Sequence, residues 1–426
     1  SHLRRGGMVM YERRNVVMAV LILTLSVGGC RNSQPAAGVQ AGGTATTQQQ
    51  EEGSVGAATA LDDAGNTVSP YHATVGGGTF NHADASHTTV SGGSHNTAAV
   101  EYAAVGGGSR NVASATRATI GGGFGNLASH IDATVGGGGG NTASGRHATV
   151  GGGSQNVASG FDATVAGGSY NAAEETYAAV GGGTRNTASA YGSWVGGGAG
   201  NASSALQAAV GGGLNNSSEG SYGVVGGGYG NVARGDHSTV PGGALNEAAA
   251  DYSFAAGWEA QVAAEHTGAF VYADASAVPF RSLAAGEFAV RATGGVRMVT
   301  AVDNEGRPTA GTALSAGSGS WSALVDEALL SDVEAADAQQ ILNLLAGLPV
   351  YAWRYQGQDS SVRHIGPLGQ DFNEAFGLGE DARYISGVDA DGVSLAALQA
   401  LYQIVQEQQV EIDALKARLE ELEAAK

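Results

Sequence analysis

The stretch ATVGGGSQNVASGFDATVAGGSYNAAEETYAAVGGG, Ala148 to Gly183, is one short unit written almost three times over. Outward from it the unit persists with a strict period. Asparagine recurs every 15 residues from Asn81 through Asn156 and Asn171 to Asn246, twelve times in all. Six residues before each asparagine stands a β-branched residue, valine from Val75 to Val240 except for Ile120. Two residues after each asparagine comes Ala or Ser, from Ala83 to Ala248. A short fixed period of this kind specifies a solenoid, because one unit cannot bury its own apolar face and must stack on its neighbours.

Spacing within the unit predicts how it coils. Ala148 and Val150 are two apart, as are Asn156 and Ala158, and a period of two puts each pair on one face of a short strand. The intervening glycines predict a turn that tolerates positive φ and close backbone approach. Each coil is therefore expected to have two short parallel strands and two turns, with equivalent side chains stacked in ladders. At the usual strand spacing, twelve coils make a rod of roughly 55 Å. One valine and a few alanines per coil form a thin core, so further burial between chains is expected.

Composition agrees with a repeat. Of 426 residues, 71 are glycine and only 6% are aromatic, which is poor material for an ordinary globular core. Seven prolines and no Gly-X-Y period exclude collagen. A formal net charge of −19 argues against a nucleic-acid partner. The single cysteine, Cys30, rules out a disulfide within the chain. Arg13 and Arg14, the apolar run Val16 to Val27 and then Gly28-Gly29-Cys30 read as a secretory signal over 1–29. Val27-Gly-Gly-Cys30 resembles a bacterial lipobox, which implies lipidation of Cys30 and export to the cell surface or outer membrane of a Gram-negative bacterium. Residues 30–70, rich in Gln, Ala, Gly and Thr, read as a flexible tether.

The repeats from 71 to 275 resemble the heads of trimeric autotransporter adhesins, which implies a left-handed parallel β-roll with three chains packed together. After Asn246 larger residues such as Trp258, Phe270 and Tyr272 predict a cap, and residues 276–317 alternate like a β neck. From Ser318 to Gly392 the pattern becomes mixed α/β. Val388-Asp-Ala-Asp-Gly392 reads as a turn before a helix. Over 393–426, Leu398, Leu401, Val405, Gln408, Ile412, Leu415, Leu419 and Leu422 follow heptad spacing and predict a coiled coil. The fold class is thus mainly β, a parallel solenoid of 15-residue repeats, followed by an α/β domain ending in a coiled coil.

GSGSWS (Gly317 to Ser322), WRYQGQDSSVRHIGPLGQDF (Trp353 to Phe372) and VDADGVSLAALQALYQ (Val388 to Gln403) resemble the endosialidase-type intramolecular chaperones. That family implies trimer assembly followed by self-cleavage at a Ser-Asp-x-x-x-Lys motif. Here Val325 and Leu330 occupy the serine and lysine places, and the chain's two lysines are Lys416 and Lys426. Without nucleophile or base the cleavage chemistry is lost, so the domain is expected to stay attached and the chain to be no enzyme. His364 matches a family position associated with cleavage and is expected to be structural here. No cofactor or metal is expected, and the histidines of the repeats are taken to lie at different coil positions.

The variable pair after the glycines, such as Ser109-Arg110, Ser154-Gln155, Ser169-Tyr170, Thr184-Arg185 and Tyr229-Gly230, is either drift on a solvated surface or the place where recognition would sit. Arg110, Gln155, Tyr170, Arg185 and Tyr229 would form an outward ladder for a host or neighbouring-cell glycan or a matrix protein. The leading expectation is a trimeric, lipid-anchored surface fibre with an adhesive or structural role. The alternative is a phage-type tailspike or fibre that binds a surface polysaccharide.

Overall fold

The computed structural model describes residues 60–69 and 71–425. The expected signal over 1–29, Cys30 and nearly all of the tether lie outside the described residues.

Two parallel ladders run the length of the repeat region. One, the valine sheet, stacks strands such as Thr149–Val150 on Thr164–Val165. The other, the asparagine sheet, stacks Val157–Ala158 on Ala172–Ala173. Each ladder gathers sixteen strands, most of them two residues long. Residues exactly one period apart pair, so the register of the rod is the period of the sequence. The mainly β, parallel, 15-residue solenoid read from the sequence is what the chain forms.

The cross-section differs from the expected two strands and two turns. A third parallel ladder of single-residue bridges runs from Thr79–Ser94 through Ser154–Ser169 to Tyr229–Ala244. The glycine run is thus a third wall, held to the next coil at the residue that follows it. Each glycine has its own reason. The third of the run, Gly153, has φ +90°, and a Cβ there would lie 2.1 Å from the Gly168 carbonyl oxygen of the next coil. The first is less strict, for Ser91, Ala166 and Pro241 stand in its place in three coils.

The core is one file of small side chains. Ala148, Val150, Asn156 and Ala158 are fully buried, and their equivalents repeat this from coil to coil. Each asparagine is a bracket between coils. Asn156 Nδ2 donates to Gly152 O of its own coil and to Gly168 O of the next, both at 2.9 Å. Its Oδ1 accepts from Asn171 N at 3.0 Å. A buried amide thereby satisfies itself and the carbonyls of two glycine walls.

At the first end Ala60–Leu61 pairs antiparallel with Thr67–Val68 and extends the asparagine sheet. At the far end the repeat shortens to 14 residues, Ala244 pairing with Trp258, and then lengthens to 16, Phe254 pairing with Phe270. The ladders continue through Phe280–Arg281 and Phe288–Arg291, so the solenoid passes the expected boundary at 275. Stacked Phe254, Phe270 and Phe288 replace the small residues of earlier coils, with ring centroids 4.4 and 4.8 Å apart.

Beyond it, Gly295–Val302, Pro308–Ser315 and Ser322–Ala323 form an antiparallel sheet. Helix α1 (Ala338–Gly347) starts at Asp337, whose carboxylate accepts from Gln340 N. A hairpin, Tyr351–Trp353 with His364–Gly366, leads to α2 (Gly369–Phe376) and then to α3 (Gly387–Ala424). Asp389 and Asp391 lie within α3 rather than in a turn before it, because the helix already begins at Gly387. Helix α1 packs along α3. In all of this region Phe372, Val393, Ala397 and Ala400 are the buried hydrophobic residues among those described.

Candidate recognition surface

The expected ladder occupies one corner of the rod. The second member of each variable pair takes the left-handed conformation: Arg110, Gln155, Tyr170 and Arg185 have φ of 56–58°. For a residue with a Cβ this conformation costs about 1 kcal/mol or more. Gln155, Tyr170 and Arg185 occupy successive rungs, and the Arg185 guanidinium lies 5.8 Å from the Tyr170 ring centre. Arg110 stands apart, separated from Gln155 by the rungs of Gly125 and Gly140, and is drawn to Phe124 at 5.6 Å. Tyr229 belongs to the neighbouring bridge ladder, between Leu214 and Ala244. The five residues therefore do not form one site; three are adjacent and two are isolated.

A second corner carries more side-chain chemistry and was missed from sequence. Counting from His72 in steps of 15 gives His87, Tyr102, Arg117, Asp132, His147, Asp162, Tyr177, Gln207, Tyr222, His237 and Tyr252, all with positive φ. Gly192 is the one glycine in this row. A position that favours glycine is thus filled with large polar and aromatic groups in nearly every coil. The expectation that the histidines are scattered is corrected in part: His72, His87, His147 and His237 share this row, whereas His82, His95 and His130 lie at other positions of the coil. Reading the sequence modulo 15 would have aligned them.

Neighbours in this row hold one another. His237 is stacked between Tyr222 and Tyr252 with centroids 4.9 and 5.0 Å away. His87 stacks between His72 and Tyr102 at 5.0 and 4.8 Å. In the middle coils charge replaces rings. Arg117 donates to Asp132 at 2.7 Å, and His147 Nδ1 meets Asp162 Oδ1 at 2.9 Å. The Arg117 hydrogen bond holds the Asp132 carboxyl below the usual aspartate range. Because the stacked rings cover each other's faces, they offer a ligand their edges and polar tips.

At the end of the solenoid Asp274 is spent internally. It accepts from the Thr293 hydroxyl at 2.6 Å and pairs with Arg291 at 2.9 Å, and the Thr293 hydrogen bonds hold its carboxyl well below the aspartate range. In the C-terminal domain His364 binds Gln358 Oε1 at 2.9 Å and packs on Trp353 and Tyr355. Its ring thereby ties the hairpin together. Val325 and Leu330 are exposed on either side of a short helical turn, Glu327–Leu329. Among the described residues no three His, Cys, Asp or Glu side chains gather where they could hold a metal, and no helix is long and apolar enough to cross a membrane.

No protein-family model matches the chain, and no curated protein matches it.

Proposed function

We propose that this chain is one strand of a homotrimeric, lipid-anchored surface fibre with an adhesive or structural role and no enzymatic activity. In this reading Cys30 carries the lipid, the solenoid is the left-handed stalk or head, and the C-terminal domain is a retained assembly chaperone ending in a coiled coil. The observation that carries it is the apolar stripe of α3. Leu398, Leu401, Val405, Ile412, Leu415, Leu419 and Leu422 recur at heptad spacing and are all exposed. The neck supports it, with Met298, Val299, Val302 and Trp321 exposed on a sheet that has no buried residue. Single-chain helices and small sheets do not leave such surfaces uncovered.

Sedimentation of the full chain tests the assembly, with three chain masses expected and a folded single-chain species contradicting it. Labelled fatty acid incorporated at Cys30, and lost in Cys30→Ser, is expected for the anchor. Binding of the oligomer to glycans or matrix proteins, weakened by Tyr170→Ala and Arg185→Ala, is expected for the adhesive role.

A further inference from the structure

Charge is distributed around the rod in a way that one chain does not explain. In none of the twelve coils is any residue from eight to two before the asparagine charged. Those residues make up the valine sheet, the glycine wall and the bridge ladder, for example Ala148 to Ser154. Charged side chains sit instead at the two corners and beside the asparagine sheet, as with Arg117, Asp132, Glu174, Arg185 and Glu219.

The uncharged wall also becomes apolar toward the neck. Thr119, Thr134, Thr149 and Thr164 point outward from the valine sheet in the early coils. The same row then carries Trp194 and Val224, both exposed, and ends in the Phe254–Phe270–Phe288 stack. Phe288 is 67% exposed, and the apolar surface of the neck follows it directly.

The middle glycine of each run gives an independent sign. It is glycine in all twelve coils. In seven coils, those of Gly77, Gly92, Gly107, Gly122, Gly182, Gly227 and Gly242, a φ of 140–159° itself favours glycine. At Gly152, Gly167 and Gly197 φ lies outside that region and a Cβ would meet nothing within 4 Å. In those three coils nothing within the chain demands glycine, and its presence keeps the outer surface low enough for a close approach.

We propose that this wall, from Thr74 to Phe288, is the face through which copies of the chain pack along the rod. The inference rests on the self-association proposed above and specifies where it occurs in the solenoid. The occupant is a second copy because the chain carries a net charge of −19, and like-charged rods approach most readily through the side that bears no charge. The glycine wall lets backbones come close, the apolar row supplies burial, and both charged corners remain in solvent.

Cross-linking tests the placement. In the full chain with Cys30→Ser, Thr149→Cys on the wall is compared with Thr142→Cys on the outer face of the asparagine sheet. A short bis-maleimide is expected to join Thr149→Cys chains at least tenfold more than Thr142→Cys chains. Equal or reversed yields overturn the inference. The wild-type mass separates the two readings: an oligomer without cross-linking at Thr149→Cys sinks only the wall, whereas a single-chain species sinks self-association itself. A paired charge three coils apart on the wall, Thr119→Glu with Thr164→Glu, is expected to lower the melting temperature of the oligomer, while the equally spaced Thr142→Glu with Thr187→Glu leaves it unchanged. Equal shifts in the two pairs also overturn it.

Discussion

The solenoid and the C-terminal region obey opposite rules of burial. From Ala73 to Ala273, nearly every coil buries its inward Ala, Val, Asn and Ala completely. From Gly295 to Ala425, four hydrophobic residues are buried while Met298, Trp321, Leu344, Tyr384 and the α3 stripe stand in solvent. The first region closes its core with small Ala and Val and the single Ile120, and carries its larger apolar groups, such as Phe80, Tyr170 and Trp194, at the surface. The second is rich in them and leaves them uncovered. Closing a thin core requires only that coils repeat, since each coil is both lid and floor for its neighbours. The C-terminal elements have no such neighbour within the chain. Under the proposed self-association their burial comes from other copies, whereas each coil's core closes within its own chain, and the two regions divide the labour of folding.

The sharpest way to break the solenoid is to remove an asparagine bracket. Asn156→Leu leaves the Gly152 carbonyl and the Asn171 N–H without partners, at about 1–3 kcal/mol each, and takes from the Gly168 carbonyl the second of its two donors, Ser154 N–H remaining. A loss of several kcal/mol is expected in denaturant unfolding. Gly153→Ala is expected to cost about 3 kcal/mol or more, because the new Cβ meets the next coil's backbone and φ is left-handed. By contrast, Leu415→Glu in α3 meets no buried neighbour in its own chain. It is expected to lower the sedimenting mass while leaving the solenoid folded, since each coil's core lies within one chain.

Smaller effects sharpen the same contrast. Ser238 sits in the core alanine row, and its hydroxyl is buried without a partner. Ser193, in the same row, donates to Ala190 O at 2.8 Å. Ser238→Ala is therefore expected to stabilise by about 1 kcal/mol, and Ser193→Ala to gain nothing. The least effect is expected at the exposed corner. Arg117→Ala removes the partner that depresses the Asp132 carboxyl. A group depressed in the folded state stabilises above its unfolded value, and that contribution fades as pH falls through the depressed one. The melting temperature is thus expected to drop slightly at neutral pH and to match wild type in strong acid.

Much of the solenoid was legible because its period is itself the register. Asn, Val and Ala at fixed offsets announce which side chains face inward, and stacking then follows without further information. The third wall was not legible, since a glycine run reads as a turn and its pairing lies in the backbone rather than in any side chain. The left-handed corner at His72 to Tyr252 was hidden for a different reason. Its residues share a conformation but alternate among His, Tyr, Arg, Asp and Gln, so no one letter recurs in every coil. Of the expected site residues, Gln155, Tyr170 and Arg185 are adjacent, while Arg110 is cut off by two glycine rungs that only the ladder makes visible.

Hydrogen exchange on the full chain with Leu401→Glu and Ile412→Glu tests the division of labour most directly. If each coil's core closes within its own chain and the C-terminal region on its copies, amides from Thr74 to Val262 stay protected while those from Gly295 to Ala424 lose protection. Protection lost along the solenoid as well, or retained in both regions, would contradict it.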